Sequence, residues 1–128
     1  MICPIKAKKD IVVYKVFKPA AAEKGGFYTP VMGMHMLPGA RYTTYGCMSP
    51  KKCRNALALN TVTDGFFHAY TRPTADYYTV RGRFGHFTKH LIVKCIIPKN
   101  TLYYKSYDAT EICSRSIFVC DVVYSFYF

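Results

Sequence analysis

One stretch constrains the fold of this chain more than any other: His90-Leu91-Ile92-Val93-Lys94-Cys95-Ile96-Ile97, closed by Pro98. Six of its eight residues are apolar and four are β-branched, which favours extended backbone over helix. The apolar positions do not alternate with polar ones, so a strand here needs cover on both faces. Pro98 lacks an amide hydrogen and stops it. Such a strand demands partners on both edges and layers above and below.

The rest of the chain supplies them. Ile11-Val12-Val13-Tyr14-Lys15-Val16-Phe17-Lys18 reads as a second strong strand, with Lys15 its first break and Pro19 its stop. Gly65 to Thr71 forms a compact strand, Thr101 to Lys105 is extended after a Lys99-Asn100 turn, and Ser116 to Tyr124 closes the chain. Residues 27–44 carry Pro30, Gly33, Pro38 and Gly39, which punctuate short strands around Tyr28-Thr29 and residues 41–44. Helical signals are brief. Ser49 and Pro50 open one short helix over residues 49–59, and Thr71 and Pro73 open another over residues 72–78. Residues 20–24 fit a single turn ended by Gly25-Gly26. The expectation is one compact α+β domain over residues 1–128, mainly β, with antiparallel or mixed sheet and two short helices.

Composition narrows the class. With 51% hydrophobic and 20% charged residues, a disordered chain is excluded. No apolar run reaches the length of a bilayer-spanning helix, and the N-terminal residues lack the apolar core of a secretory signal. Six cysteines at positions 3, 47, 53, 95, 113 and 120 contain no C-x-x-C. The reading is reduced thiols in a reducing compartment, with Cys95, Cys113 and Cys120 acting as small core hydrophobes.

Charge is the first functional clue. Lys and Arg number 18 against 7 Asp and Glu, a formal net charge of +11. Self-repulsion at that density is relieved by an anionic partner: an acidic protein surface, a nucleotide, a nucleic acid or an anionic membrane. Lysines that only maintain solubility are the plainer alternative. The basic residues form no block of five or six, so no basic tail is indicated. Twelve Tyr and nine Phe with no Trp suit partly wet recognition surfaces, and strand propensity explains them equally well.

The motifs for catalysis are missing. His86 and His90 have the i, i+4 spacing of a metal pair, but no acid accompanies them, and no metal or cofactor is implied. His68 sits in mid-strand, where a half-buried imidazole is the default. No carboxylate pair, G-x-S-x-G, Walker A or G-x-G-x-x-G occurs. Arg81-Gly82-Arg83-Phe84-Gly85 has the chemistry that grips phosphate and stacks on bases. The candidate binding residues are therefore Arg72, Arg81, Arg83, Phe84, His86 and Lys89, with His68 and Tyr70 on the preceding strand. The apolar tail Ser125-Phe126-Tyr127-Phe128 has to pack on its own sheet or on another chain, which favours a homo-oligomer or larger assembly.

Two resemblances follow from the order of motifs. Gly65-Phe66-Phe67-His68-Ala69-Tyr70, then Ala75-Asp76-Tyr77-Tyr78, then residues 91–101 and 111–119, resemble small uncharacterised proteins of large DNA viruses and gut bacteriophages. Those carry a G-F-H-aromatic strand, a short helix with Ala, and a V-K-C-x-I-P-K-G-T strand and turn. Here an extra Phe interrupts the first motif and Asn100 replaces the turn glycine; the likeness covers residues 64–124. It implies a viral or phage protein, placed in the host cytoplasm or the virion. The same order is similar to the ADP-ribosyltransferase core, with Tyr14-Lys15, Tyr70-Thr71 and Glu111 at the matching positions. Lys15 stands where Arg or His is expected, and no E-x-E or Q-x-E surrounds Glu111. The expectations are a non-enzymatic interaction protein (a small virion component or host-defence antagonist) meeting an acidic partner through a basic, Tyr-rich face; a nucleotide or nucleic-acid binder; or a transferase-like enzyme or its degenerate relative.

Overall fold

The computed structural model describes residues 5–20, 25–29, 34–43, 67–72, 89–105 and 111–127. Within them lie β1 (Ile5–Lys6), β2 (Ile11–Pro19), β3 (Phe27–Tyr28), β4 (His35–Met36), β5 (Arg41–Thr43), β6 (Phe67–Tyr70), β7 (Lys89–Ile97), β8 (Leu102–Lys105), β9 (Glu111–Ser114) and β10 (Ser116–Tyr127). The sheet runs β1-β8-β9-β6-β2-β7-β10-β5, and β3 and β4 branch from β2 as a hairpin. Every pairing among the described residues is antiparallel. The fold is mainly β, as its strand-forming runs require.

β7 takes the central place its sequence demands. It pairs with β2 from Ile11↔Ile97 to Phe17↔Leu91, and with β10 on its other edge. Leu91, Val93, Cys95 and Ile97 are buried on one face, joined by Val13, Phe17, Ala69, Ile112, Ile117 and Val119. On its other face His90 and Ile92 are buried as well. Each fully buried aliphatic side chain stabilises the fold by roughly 1.5–3 kcal/mol. The β3–β4 hairpin extends the core: Phe27 stacks tilted on Phe17 with centroids 5.4 Å apart, and Met36 is fully buried. Gly26 permits this, because its φ is 76° and a Cβ there would come within 2.5 Å of the Met36 carbonyl oxygen.

A short connection sets the shape of the sheet. In strand order β9 and β10 are four steps apart, roughly 19 Å in a flat sheet. Arg115 alone joins them, and two virtual bonds span at most about 7 Å. The sheet therefore curls back on itself around the core. Its two parts, β1-β8-β9-β6 and β2-β7-β10-β5, are stitched at one described register pair, Tyr14↔Tyr70.

Several elements differ from expectation. Pro19 is the last residue of β2 rather than the residue beyond it; its partner is Phe27, and a strand end tolerates the missing N–H. The tail continues β10 to Tyr127, paired with β7, so its backbone packs on its own sheet. β1 and β4, two residues each, arise in segments with no strand signal of that length. Among the described residues only Arg72 has helical conformation. The helix expected over residues 49–59 lies outside the described residues, as do residues 73–78 of the helix expected over 72–78 and residues 21–24 of the turn expected over 20–24, whose first residue, Ala20, is not helical.

The β1–β2 loop is fastened to the β7–β8 turn. Ala7 N–H donates to the Thr101 carbonyl at 2.9 Å, Asn100 N–H to the Ala7 carbonyl at 2.8 Å, and Lys99 N–H to Asp10 Oδ1 at 2.8 Å. Asn100 holds φ at 73°, the left-handed region that glycine and asparagine tolerate best. Asn100→Gly should leave the denaturation midpoint nearly unchanged, whereas Asn100→Ala should cost about 1 kcal/mol. Equal stability of the two variants in urea would show that the turn carries no such demand.

Candidate functional site

The strand junction brings together residues far apart in sequence. Tyr14 on β2 is the register partner of Tyr70 on β6 and of Lys94 on β7, and Tyr70 is in turn the partner of Glu111 on β9. Glu111, Tyr70, Tyr14 and Lys94 thus form one row across four adjacent strands, with neighbouring Cα positions about 5 Å apart. Thr71 and Arg72 follow directly where β6 ends, both half-buried. The Arg72 guanidinium carbon lies 5.7 Å from the centroid of the Tyr14 ring, within cation–π range.

Burial along β2 shows that this side of the sheet is graded. Val16 is buried, Tyr14 half-buried, and Val12 49% exposed. These residues share a face by strand alternation. Their neighbours on β7 follow the same trend: Ile92 is buried, while Lys94 and Ile96 are half-buried. Tyr14 and Lys94 therefore stand where a covered region opens to solvent.

Lys15 is turned the other way. It lies on the core face with Val13 and Phe17, is only 8% exposed, and holds Nζ 5.8 Å from the Phe17 ring centroid. Tyr14 and Lys15 consequently project from opposite faces of β2 and cannot both touch one ligand on either face. The cation beside Tyr14 is instead Lys94, with Arg72 above the ring. Sequence reading passed over Lys94 because it sits inside the apolar strand; its relation to Tyr14 is a register fact, invisible in local pattern.

The remaining candidates are distributed as follows. His68 is the register partner of Cys113, and Lys89 of Tyr127. Arg81, Arg83, Phe84 and His86 lie outside the described residues. Among the described residues no cluster of three His, Cys, Asp or Glu is placed to hold a metal ion.

Thiol electrostatics follow from the same geometry. Two register shifts, between Val119 and Val122 and between Val122 and Tyr124, bulge β10 against β7. Burial pushes the Cys120 thiol above its ordinary value, against the pull of Lys94. On the core face burial pushes Cys95 up to about 12, against the pull of Lys15. Neither these two cysteines nor Cys113 forms a disulfide.

Comparison with protein-family models, with curated proteins and with solved structures returns no match to this chain.

The Cys95 shift gives a pH prediction. Below the ordinary thiol value of 9.0, folded and unfolded chains both carry the proton, so stability is unaffected. Between 9.0 and about 12 the unfolded thiol ionises and the folded one does not, so stability falls as pH rises. The loss is on the order of 1 kcal/mol per pH unit. The stability of the wild type to urea should fall more from about pH 8 to about pH 10.5 than that of Cys95→Ala. Parallel pH profiles for the two would refute the assignment.

Proposed function

We propose that this chain is a contact protein whose basic, Tyr-rich face receives a nucleotide as its acidic partner. The row of Glu111, Tyr70, Tyr14 and Lys94, with Arg72 over the Tyr14 ring, is the observation that carries the reading. Its chemistry is complementary to such a ligand. Tyr14 and Arg72 offer an aromatic and a planar cationic surface for a base, and Lys94 and Arg72 offer positive charge to phosphates. Arg81, Arg83, Phe84, His86 and Lys89 belong to the same proposal as further phosphate and base contacts. In a virus or phage, the setting implied by residues 64–124, such a protein would act as a host-defence antagonist or virion component by holding its ligand. A homo-oligomer remains part of this reading.

A second reading is favoured by one specific observation: Glu111, Tyr70 and Tyr14, the positions similar to an ADP-ribosyltransferase core, occupy that single row. In this reading the ligand is NAD. The bond between nicotinamide and ribose breaks, nicotinamide leaves, and water or an acceptor nucleophile attacks the ribose C1′. The Glu111 carboxylate would stabilise the oxocarbenium-like state between those events. Lys15 has no contact role here, since it lies on the core face.

Calorimetric titration with ATP and with NAD at low salt tests both. Binding should weaken as salt rises. Lys94→Glu and Arg72→Ala should each lower affinity by roughly tenfold. A chain that binds neither nucleotide at low salt overturns the first reading. For the second, wild type should release nicotinamide and Glu111→Gln should not, while still binding NAD; an NAD-binding wild type without nicotinamide release removes it.

A further inference from the structure

The sheet face that carries Tyr14 and Lys94 continues past them into a second row. Val12 on β2 is the register partner of Ile96 on β7, Ile96 of Phe118 on β10, and Phe118 of Arg41 on β5. Val12 stands two residues from Tyr14 and Ile96 two from Lys94, so strand alternation puts both rows on one face. Phe118 precedes the first register shift of β10 and lies where the ladder is regular. Ile96 and Phe118 are half-buried, and Val12 and Arg41 are exposed. Arg41 is held in place. Its Nε donates to Ser116 Oγ at 2.9 Å, and that hydroxyl donates to the Tyr42 carbonyl at 3.1 Å and lies 3.0 Å from Thr43 Oγ1. The bond engages Nε and leaves the terminal guanidinium nitrogens outside it.

The second row repeats the chemistry of the first. Arg72 lies over the Tyr14 ring at one end of the face, and Arg41 is the register partner of Phe118 at the other, an arginine beside an aromatic residue each time. From Tyr14 to Phe118 the path is two strand steps across and two residues along, roughly 12 Å between Cα positions. Lys94 falls between them, one strand from each. The acids of these strands stand outside this stretch: Glu111 ends the Tyr14 row, and Asp121 lies in the bulge beyond Phe118. An aromatic ring with a guanidinium suits a base, and an ammonium suits phosphate. A mononucleotide has one base and fills one end only. We propose that the site takes a dinucleotide, two nucleosides joined through their 5′-phosphates. Its first base lies at Tyr14 and Arg72, its phosphate bridge at Lys94, and its second base on Phe118 beside Arg41. This assignment rests on the nucleotide reading above and adds Phe118 and Arg41 as its specificity determinants. NAD is one member of the class, and no bond of the ligand has to break.

Calorimetric titration of the full chain with ATP, adenosine tetraphosphate and diadenosine tetraphosphate, all at one low salt concentration, tests the proposal. Diadenosine tetraphosphate carries an adenosine at each end of its phosphate bridge. It should bind one per chain and roughly tenfold or more tighter than ATP, because its second base binds within the same molecule. Adenosine tetraphosphate, with the same phosphate chain and a single base, should show no such gain. Phe118→Leu and Arg41→Gln should each erase most of the gain and leave ATP affinity unchanged, whereas Lys94→Glu should weaken every ligand. Phe118→Leu keeps apolar volume at a half-buried position, Arg41 is exposed, and an unaltered melting temperature confirms that each variant folds. ATP and diadenosine tetraphosphate binding equally, adenosine tetraphosphate sharing the gain, or a gain that survives both substitutions would each overturn the second base position, while ATP binding would still uphold the nucleotide reading. A chain that binds none of the three overturns both.

Discussion

Arg115 is the shortest route between two strands that the sheet order holds far apart, and the rest of the architecture depends on that economy of chain. A flat sheet cannot satisfy it. Once the sheet curls, Ala69 and Ile112 from β6 and β9 share one core with Val13, Val93, Cys95 and Val119 from β2, β7 and β10. The curl also explains why the β2–β6 seam is narrow. β2 follows β7 along Ile11–Phe17, whereas it meets β6 at Tyr14↔Tyr70. Among the described residues that pair alone joins the two parts of the sheet directly along the strand order. The candidate site falls there because one row of residues crosses all four strands at that pair.

What was legible in the sequence follows from range. β7 could be read because a continuous apolar run ended by Pro98 needs no knowledge of distant partners. β2 was readable for the same reason, and its misjudged end at Pro19 reflects a partner, Phe27, that local pattern does not reveal. β1 and β4 were not readable: two residues carry no period, and these strands exist because β8 and β3 offer them edges. The same division holds for the site. Tyr14, Tyr70 and Glu111 were singled out through the order of motifs, yet their single row is set by antiparallel register over nearly a hundred residues of chain. Lys15 shows the cost of reading without register. A one-residue step along a strand reverses the face, and the cation marked beside Tyr14 proved to belong to the core.

The surplus of positive charge has the same lesson in electrostatic form. Counted along the chain it is diffuse, with no basic block. In the fold, residues 5–10 and 98–105 converge, and lysines more than ninety positions apart share one corner. The bonds that hold these segments run from backbone N–H groups to backbone carbonyls and the Asp10 carboxylate, so the convergence does not depend on the lysine side chains. A fold whose only requirement were solubility would gain by interspersing acids among those lysines, since mixed charge keeps a surface soluble without self-repulsion. Asp10 is the only acid in those segments, and its carboxylate holds the turn rather than neutralising an ammonium. Repulsion among the lysines is thus left without an acid from those segments to offset it. Lys94 and Arg72 differ in kind. Both are half-buried, and the Arg72 guanidinium carbon lies 5.7 Å from the Tyr14 ring centroid, whereas the corner lysines are exposed.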